Sequence, residues 1–104
     1  MTTSDDADRD PVVRRLREEI SDNDLTIVNA INARLALVRR LRDYKASRGW
    51  DFVDQAREDW MLAYVTRANR GPLSAEGLRV IYEELLDLTK REVAGEAERT
   101  ETAP

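Results

Sequence analysis

The sequence predicts an all-α protein, with three helices per chain, one of them very long, in an intertwined helical homodimer. Three observations carry that prediction. From residue 12 to residue 48 there is neither Gly nor Pro, and apolar residues recur at three- and four-residue steps. No segment sustains the period-two alternation of a half-buried strand. Of the 104 residues, 37% are charged and 41% hydrophobic, with four Gly and three Pro, a breaker-poor balance that suits helices.

In chain order, residues 1–9 (MTTSDDADR) read as a disordered N-terminal tail. Residues 10–95 form the helical domain, and residues 96–104 (EAERTETAP) a second disordered tail. Asp10 and Pro11 read as an N-cap followed by Pro at the first helical position. Leu16, Ile20, Ile27, Ile31, Leu35, Val38 and Leu41 then mark one apolar stripe, and Gly49 ends the helix. Residues 50–53 are a short connector. A second helix begins near Asp54, carries Trp60, Met61, Tyr64, Val65 and Ala68 on one face, and stops at Gly71 and Pro72. Ser74 caps a third, whose inward positions are Leu78, Ile81, Tyr82, Leu85, Leu88 and Thr89.

The first helix decides the assembly. Its roughly 38 residues extend ~57 Å at 1.5 Å per residue. A compact domain of this size has a radius of gyration near ~13 Å, so two shorter helices of the same chain cannot cover that stripe. A second copy is expected to do so, with the long helices packed along their length.

Composition narrows the chemistry. With no Cys and no His, disulfides, thiolate or imidazole nucleophiles and the usual zinc or haem ligands are excluded, and no metal or cofactor is expected. The net charge of −4 argues against nucleic acid and anionic membranes as partners. No apolar run approaches the ~20 residues of a membrane span. The opening residues are acidic and polar, unlike a secretory signal, so a cytoplasmic location is expected. The cations are skewed, with fifteen Arg and two Lys. Arg supplies permanently charged planar forks suited to carboxylate or phosphate; salt-bridged helices from a GC-rich genome explain the same bias.

Three polar features stand out. Arg34 and Lys45 are 11 residues apart, three helical turns plus ~20°, so they share a face and can either converge on one anion or snorkel to solvent. Arg17 points ~100° away from that face. It is placed for a partner chain's anion or is a solvated Arg beside Glu18. Asp54, Arg57 and Glu58 share one face at the opening of the second helix, a pattern that the helix dipole and intrahelical pairing also produce.

In order and spacing, Leu16-Arg17-Glu18-Glu19-Ile20, Asp24, Arg34, Lys45, Gly49, Asp54, Arg57 and Glu58 resemble the all-helical chorismate mutases. Residues 71–74 (GPLS) and Ile81, Tyr82, Leu85, Leu86 and Thr89 fit that family's third helix, so the resemblance covers roughly residues 12–93. It implies a three-helix chain in an intertwined dimer and the rearrangement of chorismate to prephenate, on the way to phenylalanine and tyrosine. It also implies roles. Arg34, with Arg17 from the other subunit, clamps the two carboxylates of the substrate, and Arg57 supports them. Lys45 donates to the ether oxygen, and Glu58, helped by Asp54, holds the ring hydroxyl. Thr89 stands where the family usually has a Ser contacting a carboxylate.

One position departs from the family. Four residues beyond that Ser the family usually carries Gln or Glu, a second donor to the ether oxygen; here it is Val93. Loss of one such donor typically costs ~2.7–4 kcal/mol. Either Glu92 rotates in, or Lys45 works alone, or the substrate differs. The alternatives are a related mutase or lyase acting on aminodeoxychorismate or isochorismate, and a non-catalytic helical dimerisation or regulatory module. An activating complex with the first-step synthase of the aromatic pathway is compatible with a weakened site. Lys90, beside Thr89, has no role in the resemblance.

Overall fold

The structure is a computed structural model of the chain, and it describes the backbone of residues 3–102 and the side chains of residues 6–94. The elements are α1 (Thr3–Arg9), α2 (Pro11–Ser47), α3 (Gln55–Ala68) and α4 (Ala75–Thr102), with no strand among the described residues. The three expected helices are α2, α3 and α4. Helix also occupies ground expected to be tail. α1 lies within residues 1–9, and α4 continues from residue 96 to Thr102, while residues 1, 2, 103 and 104 lie outside the described residues. No Gly or Pro interrupts residues 96–102, and extending an existing helix needs no new nucleus.

The helix ends follow from local chemistry. Asp10 Oδ1 accepts from the backbone N–H groups of Val12 (2.9 Å) and Val13 (3.1 Å), which caps α2. At the other end Gly49 takes φ +72°, a conformation that costs a side-chain-bearing residue but not glycine. That reversal lets Trp50 N–H reach the Lys45 carbonyl (2.9 Å) and Gly49 N–H the Ala46 carbonyl (3.1 Å), a Schellman pattern. Asp54 caps α3 through Oδ1 to Arg57 N–H at 3.1 Å. Asn69 then stitches the next turn, its side chain donating to the Leu73 carbonyl (2.8 Å) and accepting from Gly71 N–H (3.0 Å). Ser74 Oγ accepts from Gly77 N–H at 3.0 Å and starts α4.

Two compact units divide the chain, Met1–Arg34 and Leu35–Pro104. In the first, the apolar residues Leu16, Ile20, Leu25, Ile27 and Val28 of α2 are exposed. In the second, α3 packs on α4, and the side chains most withdrawn from water are Val93 (2% exposed), Thr89 (4%) and Leu78 (8%). Arg42, in the part of α2 that belongs to this unit, donates from Nη1 to the Val93 carbonyl at 2.8 Å. No residue of α2 is buried.

Candidate active site

Lys45 lies in the last turn of α2, where a cation is also favoured by the helix dipole. Because the chain reverses at Gly49, Phe52 returns close enough for its carbonyl to accept from Lys45 Nζ at 3.2 Å. Main-chain and side-chain bonds from one residue therefore hold the connector against the helix end. Lys45 is half-buried.

Asp54, Arg57 and Glu58 are the cap and first turn of α3. Asp54 uses Oδ1 for the cap. Arg57 and Glu58 are consecutive, about 100° apart around the helix, and take different partners. The Arg57 guanidinium lies over the Trp60 ring, 4.0 Å from its centroid, and Trp60 stacks in turn on Tyr64 at 4.9 Å and 12°. Glu58 instead meets α4: its Oε1 is 3.1 Å from Lys90 Nζ, with the Glu58 side chain 16% exposed and that of Lys90 37%. Lys90 Nζ is also 3.6 Å from Asp87 Oδ1, one turn back on its own helix. The hydrogen bond to Glu58 is the main reason that the Lys90 ammonium keeps its proton above the ordinary lysine range. Burial opposes that rise, and the charges of Glu58 and Asp87 add to it.

Thr89, next to Lys90, is buried, and its hydroxyl donates to the Leu85 carbonyl at 2.7 Å. Val93, one turn further, has an apolar side chain that is almost wholly enclosed. Glu92, by contrast, is exposed.

The second unit thus holds Lys45, Asp54, Arg57, Glu58, Thr89 and Val93, together with Lys90. Arg17 and Arg34 belong to the first unit. Arg34 is half-buried, and Arg17 is exposed and paired with Asp8. An ion pair so open to water contributes little to stability. The pairing of Lys90 with Glu58 is the contact that sequence reasoning missed. Its nearest signal was the rarity of Lys90, as one of two lysines among fifteen Arg. The two residues lie 32 positions apart, across two helices, where no periodicity reaches.

Held by these caps, turns and ion pairs are fixed cations and acceptors, with neither a thiol nor an imidazole in the chain. That inventory suits electrostatic stabilisation of an anionic substrate. The chain belongs to the chorismate mutase type II family, whose family model matches residues 16–93. It is an all-helical isomerase that converts chorismate to prephenate. No curated protein and no solved structure matches the chain. Among the described residues no helix is long and apolar enough to cross a membrane.

Proposed function

We propose that the working enzyme is a homodimer in which Arg17 of the partner subunit and Arg34 clamp the two carboxylates of chorismate. Arg57 supports that clamp and Thr89 contacts a carboxylate. Lys45 donates to the ether oxygen, and Glu58, with Asp54, holds the ring hydroxyl. The reaction is intramolecular: the ether C–O bond breaks as one C–C bond forms, and no proton leaves or arrives. Its barrier falls when the enolpyruvyl arm is folded over the ring and charge growing on the ether oxygen meets a fixed cation. Carboxylate clamps supply the first effect and Lys45 the second.

The observation that carries the dimer is the apolar face of α2. Leu16, Ile20, Ile27, Val28, Leu37 and Leu41 are all about half exposed or more, along a helix with no buried residue. Exposed apolar surface of that extent on α2 is costly in water, and a second copy offers the same surface in return. Pairing along it also gives Arg17, exposed and paired with Asp8, a neighbour's site to serve.

Subunit mixing tests the reading. Arg17→Ala and Arg34→Ala homodimers should each be nearly inactive in chorismate consumption with prephenate identified as product. A mixed dimer then holds one site with both lesions and one with neither, so mixing should restore activity up to about one intact site per heterodimer. No recovery, once subunit exchange is verified, overturns the sharing of Arg17. Sedimentation of a folded species of one chain's mass overturns the dimer. The same reading assigns the enzyme to the cytoplasm. It also includes stimulation by the first-step synthase of the pathway, motivated by the absent donor at Val93 and tested by a rise in kcat on mixing the two proteins.

A further inference from the structure

Glu58 projects from the opening turns of α3 with its side chain only 16% exposed. A carboxylate so withdrawn from water requires a partner. Lys90 provides it from α4 at 3.1 Å, and the same ammonium is drawn along its own helix by Asp87 at 3.6 Å. Lys90 is therefore placed by two carboxylates rather than one, on the residue adjacent to buried Thr89. The contact is to Oε1 of Glu58. An ionised carboxylate has about four lone-pair sites over two oxygens, so one ammonium leaves acceptor capacity for a hydroxyl.

We infer that Lys90 is a positioning residue for the rearrangement: its ammonium pins one oxygen of Glu58 so that the carboxylate is already oriented when the ring hydroxyl of the substrate arrives. The inference rests on the reading above in which Glu58 accepts that hydroxyl. A free Glu side chain has three torsions and loses rotamer freedom when ordered, and an ion pair made in advance removes that cost from the binding and transition-state steps. The raised proton affinity of Lys90 agrees with a strong bond to Glu58 and keeps the cation charged throughout the neutral range.

The test is a double-mutant cycle on the full-length protein with chorismate as substrate. Lys90→Met keeps the length of the side chain and removes the charge; Lys90→Arg keeps the charge. Lys90→Met should lower kcat/KM about tenfold, and Lys90→Arg should recover it to within about threefold, because misorientation of a binding group carries penalties of this order. In a Glu58→Gln background, Lys90→Met should change kcat/KM by less than about twofold, since it would have no carboxylate left to orient. Full activity in Lys90→Met, or an equal loss in both backgrounds, overturns the inference. A lower melting temperature with unchanged kcat/KM overturns it too, in favour of a clamp between helices. If Glu58→Gln alone keeps the wild-type rate, the role of Glu58 fails and Lys90 falls with it. If Glu58→Gln is crippled while Lys90→Met is not, only Lys90 fails.

Discussion

Arg42 Nη1 donates to the backbone carbonyl of Val93 at 2.8 Å, joining the end of α2 to the middle of α4. The side chain of Arg42 is 18% exposed and is also braced by Asp43 at 2.7 Å, so its charge is balanced where it crosses between helices. The same bond fixes the backbone at Val93, whose side chain is apolar and enclosed.

Removing that crossing should be felt as stability. Arg42→Ala deletes a charge-assisted bond to a backbone acceptor, which typically contributes about 1.5–3 kcal/mol. The urea midpoint should fall accordingly with the m-value unchanged. A shift below about 0.5 kcal/mol would show the bond to be incidental.

Val93 should resist a polar replacement. At 2% exposure its site has no water to offer an amide. Val93→Gln adds a donor and an acceptor at a cost of about 1–3 kcal/mol unless both are satisfied locally. We expect a lower melting temperature. An unchanged melting temperature together with a higher kcat would instead mean that the amide reaches the substrate as a second donor.

Lys45 should dominate the chemical step. With Val93 unable to donate, the ammonium held near the Phe52 carbonyl is the proposed cation for the ether oxygen. Lys45→Ala should lower kcat by ~10²–10³. Sedimentation should show the assembly unchanged, because Lys45 lies in the last turn of α2, at the end of the apolar stripe rather than within it. Retention of most of the wild-type kcat would remove Lys45 from the mechanism.

Lys90 should also mark the alkaline limb of stability. Its folded-state proton affinity is raised above the ordinary lysine value of 10.5. A group whose pKa is raised on folding contributes stability fully below its unfolded value, and that contribution is lost as pH climbs through the folded value. The difference in stability between wild type and Lys90→Met should therefore be flat at neutral pH and shrink above pH 10.5. Equal alkaline profiles for the two proteins would exclude Lys90 as the source.

Local chemistry was legible in the sequence because its causes lie within a few residues. Asp10, Asp54 and Ser74 each cap a helix through an oxygen two or three residues from its donor, and Gly49 turns the chain because only its own backbone conformation is at stake. The periodic stripe on α2 likewise needs only a 3.6-residue repeat, and the order of Arg34, Lys45, Asp54, Arg57 and Glu58 was enough for a family resemblance. Contacts between helices decided the rest. Arg57 and Glu58 are neighbours in sequence, yet one lies over Trp60 of its own helix and the other pairs with Lys90 of α4. The Val93 side chain is enclosed and its carbonyl receives Arg42 from 51 positions earlier. Such pairings depend on how residues 32 and 51 positions apart in sequence meet when helices pack, and helical periodicity says which face a residue occupies but not which residue will stand opposite it.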